Sequence, residues 1–187
     1  ETAEYFFVVI ECHTDSFGAL STGYSGECEF LDFNITSEAV PENAVEALND
    51  VFPEGLRAIE IYPQSDGGMK VGSIEWSQYR ITWGFEEDVP AGFAEAVRDL
   101  FRRPVVEIVK RSKRGEKIVN MRELMRDLAV AEGEREVTAV VTTAAGNNNM
   151  SPEYLTRAIR QYLPQYEIPF SEYHRMNVFT ADGTPFR

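Results

Sequence analysis

Two periods of hydrophobic spacing alternate along the chain, and they predict a mixed set of strands and helices. EYFFVVIECH is β-branched and aromatic throughout, as a buried strand is. After the turn-rich TDSFGALSTGYSGE, CEFLDFNIT alternates, with Leu31, Phe33 and Ile35 on one face and Asp32 and Asn34 on the other. Pro41 opens the helical run PENAVEALNDVF, whose Val45, Leu48, Val51 and Phe52 form one stripe. Gly55 ends it, and LRAIEIYP returns as a strand.

The second half repeats the rhythm. SQYRITWGF places Tyr79, Ile81, Trp83 and Phe85 inward, and AGFAEAVRDLFRR carries Phe93, Val97, Leu100 and Phe101 at helical spacing. Pro104 stops that helix. VVEIVKRS and KIVNM then flank an Arg114-Gly115 turn, MRELMRDL reads as a short helical turn or as more of the returning strand, and EREVTAVVTT is a strand. Ser151 and Pro152 supply an N-cap and a first helical position for SPEYLTRAIRQYL, before the last strand IPFSEYHRMNVF and the tail ADGTPFR.

The expected class is therefore α+β: a ferredoxin-like antiparallel sheet with helices packed on one face, built as two related sandwiches, the first shortened, or as one extended sheet. The glycine-containing QSDGGMKVGS marks the boundary between a shortened N-terminal half, 1–66, and a ferredoxin-like C-terminal half, 67–187, which can still pack as one domain.

Composition narrows the function classes. An apolar fraction of 43% in 187 residues supports a well-filled core, and no apolar run approaches the roughly 20 residues a membrane span needs. The expectation is a soluble, cytoplasmic protein with no membrane partner. The first residue is Glu1 and not Met, so a trimmed chain or a piece of a longer one is expected. Cys12 and Cys28 are too few for a disulfide framework or a closed zinc site, and His13 and His174 lie far apart, so reduced structural thiols and no metal are expected.

The net charge is −13, but residues 102–117 hold seven basic residues against Glu107 and Glu116, a local +5 that leaves −18 elsewhere. Such polarity orients a charged partner at long range. The candidate binding residues are Lys110, Arg111, Lys113, Arg114 and Lys117 on the hairpin tip, where basic side chains reach phosphates without reading sequence. An ordinary solvated tip is the plainer account of the same residues.

Catalytic motifs are missing. No glycine pair leads into the Lys-Ser/Thr of a phosphate loop, and no G-x-S-x-G elbow presents a serine. Asp32 interrupts an apolar strand, yet an outward strand position explains it; a cleft gathering Asp32, His13 and a tyrosine would be needed for catalysis. The alternating aromatics read as core, with Trp76, Tyr79 and Tyr173 the candidates for exposed stacking platforms.

VVEIVKRSKRGEKIVNMRELMRDL closely resembles the signature of the radical-SAM-linked protein family: a strand, a basic turn and a return into a short helix containing R-x-L. FGALSTGYSGECEFLDFNI, PEGLRAIEIYP and GNNNMSPEYLTRAI resemble further elements of that family in the same order, from Phe17 onward. The family's opening strand, its S-H-L-D helix and its G-F-N-P stretch have no counterpart here, where only ETAEYFFVVIECHTDS precedes the match. This points to a front that is lost or remodelled, or to a fragment.

Proteins of that family are domains of unknown function encoded beside, or fused to, B12-binding radical SAM proteins. The resemblance implies a non-catalytic accessory that binds RNA, tRNA or rRNA, or docks a radical SAM partner through the basic hairpin. Alternatives are a protein-interaction module with no nucleic-acid role and an RNA-modifying enzyme. No cofactor is expected in this chain, since two cysteines cannot supply the three-cysteine set of an iron-sulfur cluster; the implied partner would carry the cluster and S-adenosylmethionine.

Overall fold

The computed structural model describes residues 4–13, 24–35, 41–63, 71–112 and 115–186. Among them run β1 (Glu4–His13), β2 (Tyr24–Ile35), α1 (Ala44–Val51), β3 (Leu56–Pro63), β4 (Ile74–Gly84), α2 (Phe93–Arg102), β5 (Glu107–Ser112), β6 (Gly115–Asn120), β7 (Met125–Glu132), β8 (Glu136–Ala144), α3 (Glu153–Tyr162) and β9 (Phe170–Thr180). The class is α+β, as the periodicities require. Strands of both halves join one seven-stranded sheet, ordered β3-β1-β2-β9-β4-β8-β7, while β5 and β6 form a separate hairpin. Neighbours in the large sheet are antiparallel except β2 and β9, which run parallel over three residue pairs.

The second half runs β4-α2-β5-β6-β7-β8-α3-β9, one strand more than the expected β-α-β-β-(α)-β-α-β, because Met125–Glu132 forms β7. MRELMRDL divides between both readings: Met121–Leu124 is a 3-10 turn and Met125 begins β7. Alternation on β4 turns Tyr79, Ile81 and Trp83 into the core, against α2 (Phe93, Val97, Leu100, Phe101) and α3 (Leu155, Ile159). Phe93 sits at the centre, edge-on to Trp83, Phe85 and Tyr166. Burying Trp83 and Tyr173 requires partners for their polar ends. Thr156 of α3 serves both, its hydroxyl oxygen accepting from Trp83 Nε1 at 2.8 Å and from the Tyr173 hydroxyl at 2.9 Å.

α1 covers a smaller cluster around Val8 and Ala58 with Val45, Leu48 and Phe52. Asn49 on the same helix bonds both backbone groups of Ala58, at 2.7 and 3.1 Å, beside an irregularity in the β1–β3 register. That satisfies part of the edge strand's exposed ladder.

Several expectations need correction. Of the two expected arrangements the one extended sheet is found and not the paired sandwiches, because β2 finds a partner in β9. Val51 is 74% exposed, at the last residue of α1 and the rim of its stripe. Leu31 is also exposed, while Cys28 and Phe30 pack inward with Val178, Phe186, Tyr62 and Ile74. β2 has two residues, Glu27 and Cys28, between Gly26 and Glu29 where β1 has one between Cys12 and Ile10, a bulge that precedes the regular pairing of Glu29 to Ile35. Ser151 does not cap α3; Pro152 occupies that position. The tail is no loose end either, since Phe186 donates its N–H to the Val178 carbonyl and is buried. The Asp32 and His13 side chains and the bridge over residues 64–70 lie outside the described parts.

Replacing Thr156 with Val leaves the Trp83 N–H and the Tyr173 hydroxyl without their shared acceptor. We expect Thr156→Val to lower unfolding stability by about 2 kcal/mol and Thr156→Ser to retain most of it, measured by denaturant unfolding.

Candidate functional site

The hairpin that carries the sequence-predicted residues is fastened along one edge of β5. Tyr162 of α3 accepts the Glu107 N–H at 3.1 Å and donates to the Glu107 carbonyl at 3.0 Å, and Tyr154 accepts the Arg111 N–H at 3.2 Å. Asn120 closes the base of the hairpin, its side-chain oxygen accepting from Val106 N at 3.0 Å. Ser112 pairs with Gly115, and Gly115 has φ +118°, a conformation that suits glycine. Lys113 and Arg114 lie outside the described residues.

Much of the basic charge is already engaged. Arg111 donates to Glu116 at 2.7 Å, directly across the hairpin, and Arg102 pairs with Asp99 and Glu95 of its own helix. Arg103 stands over the Tyr162 ring at 6.0 Å. Lys110 and Lys117 face each other across the two strands, and among the described residues neither has a carboxylate partner. The alternation that buries Val106 and Ile108 turns Val105, Val109 and Ile118 to solvent, exposed at 55%, 46% and 64%. The hairpin thus presents an apolar outer face that the Arg111–Glu116 pair shares, while alternation sets Lys110 and Lys117 on the face of Ile108. Lys110 and Lys117 fall where the basic run put them, but the exposed valines and isoleucine were missed; their strict alternation with Val106 and Ile108 was the available signal.

A second arrangement lies where β2 meets β9. A cavity of about 570 Å³ opens there, walled by Tyr24, Cys28 and Glu29 of β2, by Tyr79 of β4 and Arg175 of β9, and by the segment leading into α3. Arg175 grips Glu29 in a bidentate pair, Nε to Oε1 at 2.7 Å and Nη2 to Oε2, with both side chains largely buried. Two bulges flank this pair: the one in β2, and one in β9, where Met176 is extra between the partners of Tyr79 and Gln78. Tyr24 stacks on Tyr173 at 4.9 Å and shares a 2.7 Å hydrogen bond with Ser151, which explains why that serine leaves α3 uncapped. Gly146 adds a close approach, since a Cβ there would lie 3.0 Å from the Ile74 carbonyl.

Perturbed ionisations gather on this wall. Burial pushes the Cys28 thiol up to about 12 and raises the Tyr24 and Tyr79 phenols, keeping all three neutral. Burial pulls the Arg175 guanidinium down, and the bond to Glu29 outweighs it, so the cation is held. Cys28 is a free thiol. Of the three candidate platforms, Tyr79 and Tyr173 are buried, and Trp76 is half-buried under Arg126 at 4.2 Å.

Ser25 and His174 also meet, Oγ to Nδ1 at 2.7 Å, with Glu27 3.8 Å from the other ring nitrogen. The set looks like a nucleophile and its base. Ser25, however, sits inside the sheet, paired with β1 on one side and β9 on the other, where backbone N–H groups are engaged in the ladders and not turned toward an oxyanion. We read it as a cross-strand clasp. Among the described residues no cluster of three His, Cys, Asp or Glu suits a metal, and no helix is long and apolar enough to cross a membrane.

Residues 14–152 match the family model described as "Uncharacterized protein conserved in bacteria (DUF2344)". The matched stretch contains the hairpin and stops short of Arg175. A search of curated proteins finds no match.

Glu29→Gln leaves the Arg175 cation in a mostly buried site without its counter-charge, and should cost about 3 kcal/mol. The double variant Glu29→Leu/Arg175→Met should recover most of that loss, and a double-mutant cycle by chemical denaturation checks it. A thiol held up at about 12 against an ordinary 9.0 retains its proton when the unfolded chain has released it. Stability should therefore be complete below pH 9 and fall between pH 9 and 12, the raised phenols acting in the same sense, while Cys28 resists alkylation until the chain unfolds.

Proposed function

The chain belongs to the DUF2344 family of proteins conserved in bacteria, and from that premise we propose that it is a non-catalytic accessory domain that docks a partner protein through the outer face of the β5–β6 hairpin. The observation that carries this reading is the exposed pairing of Val109 with Ile118, with Val105 exposed in the same alternation, on a hairpin pinned by Tyr154 and Tyr162. A rigid strand pair with an apolar centre is suited to a complementary protein surface. Lys110 and Lys117 on the reverse of the strand pair, with Lys113 and Arg114 between Ser112 and Gly115 in the sequence, favour an acidic partner through long-range attraction. The motif resemblance supplies the partner's class, a radical SAM protein carrying its own iron-sulfur cluster and S-adenosylmethionine.

RNA is the weaker reading of the same hairpin. Arg111 and Arg102 are engaged by carboxylates, and a phosphate backbone has no use for three exposed aliphatic side chains. The cytoplasm is the compartment such a partner implies.

The test uses this chain and a purified radical SAM protein from the same genome, treated with nuclease, with binding followed by interferometry across a salt series. We expect saturable binding that survives nuclease, a loss of about tenfold or more for Val109→Asp and Ile118→Asp, and a smaller, salt-dependent loss for Lys117→Glu. Binding to structured RNA with a steep salt slope, flattened by Lys117→Glu and indifferent to Ile118→Asp, would replace the docking reading with the RNA one. Absence of binding to either would end both.

A further inference from the structure

The cavity between β2 and β9 has a charge balance that selects among ligands. Its walls hold one cation, Arg175, and two carboxylates, Glu29 and Glu75. The cation is taken: Glu29 occupies its Nε and Nη2 donors. Glu75 is exposed at the cavity's edge, and among the described residues its carboxylate has no cationic partner. The wall therefore offers one uncompensated negative charge. The N-terminal end of α3 would favour an anion, but Glu153 in its first turn offsets that end.

Aromatic and apolar groups complete the lining. Tyr24, Tyr79 and Phe30 bring rings, whose faces attract cations, and Ile74, Met150 and Val178 bring aliphatic surface. Because Tyr24, Tyr79 and Cys28 stay protonated, they add hydrogen-bonding groups without adding charge. The volume of about 570 Å³ lies within the range of small-molecule sites, and the position at the junction of the chain's two halves is a common one for them. Two β-bulges beside the Arg175–Glu29 pair aim side chains of both strands at this space.

We infer that this cavity binds a small organic amine, its ammonium group meeting the Glu75 carboxylate among the aromatic rings while its carbon chain packs on Ile74, Met150 and Val178. A phosphate or carboxylate ligand is disfavoured, because the guanidinium that would receive it is neutralised by Glu29. The site is independent of the hairpin.

Calorimetric titration of the chain with putrescine, spermidine and choline, beside succinate and glucose as anionic and neutral probes, tests the inference. At least one amine should bind saturably, and Glu75→Gln should weaken it about tenfold while leaving the circular dichroism spectrum and unfolding midpoint unchanged. Glu134→Gln, an exposed acid away from the cavity, should have no effect. The inference fails if no amine binds saturably, if succinate or glucose binds as well as the amines, or if Glu75→Gln and Glu134→Gln weaken binding equally.

Discussion

The sheet is continuous only because β2 lies beside β9, and that contact spans three residue pairs, Tyr24 to Gly26 against Tyr173 to Arg175. Three pairs of parallel ladder are a slender link between two sets of strands. Side chains reinforce it from both faces. The Arg175–Glu29 pair and the Tyr24–Tyr173 stack lie on one, and the Ser25–His174 hydrogen bond lies on the other. Arg175 is the most consequential of these, since its charge is sheltered in the wall of a cavity and its carboxylate partner, Glu29, comes from the other half of the chain. The bulges in β2 and β9 that bring the two residues together also open the cavity beside them.

The hairpin shows how a run of charge in a sequence overstates the charge that a surface offers. Residues 102–117 carry +5 as a string. Folded, Arg102 turns back along α2 toward Asp99 and Glu95, Arg111 meets Glu116 across the hairpin, and Arg103 lies over an aromatic ring. The exposed ion pairs add little stability, yet they reduce the charge available to a polyanion. The exposed aliphatic face is what the folded hairpin presents in addition, and it changes the kind of partner the segment fits.

Local periodicity made most elements legible, because a strand with one buried face must alternate and an amphipathic helix must repeat near its turn. Tyr79, Ile81 and Trp83, and Phe93, Val97, Leu100 and Phe101, are all buried for that reason. What periodicity could not reveal was the order of strands. The β2–β9 contact joins residues about 150 positions apart, and nothing in the spacing of either strand requires it. The cavity was hidden for the same cause: Glu29 reads locally as one acid among 31, and Arg175 as one basic residue in a last strand. Leu31 was misassigned because alternation shows which residues share a face and not how fully that face is covered, and Ser151 because its hydroxyl had a better use than capping: a long-range partner in Tyr24.

The two surfaces differ in what they ask of the chain. The hairpin is held by backbone bonds to Tyr154 and Tyr162 on α3, so its outer face is fixed before any partner arrives, and docking there need not cost much ordering. The cavity sits at the slender link, with walls supplied by β2 on one side and by β4 and β9 on the other. A ligand that touches both walls adds contacts across the link, and its binding energy stabilises that junction by the same amount that the intact junction favours the ligand. α3 is common to both, its N-terminal approach lining the cavity through Ser151 and its tyrosines fastening β5. Any influence of the cavity on the docking face would therefore have to pass through the seating of α3, whose buried Leu155, Thr156 and Ile159 hold it against the sheet.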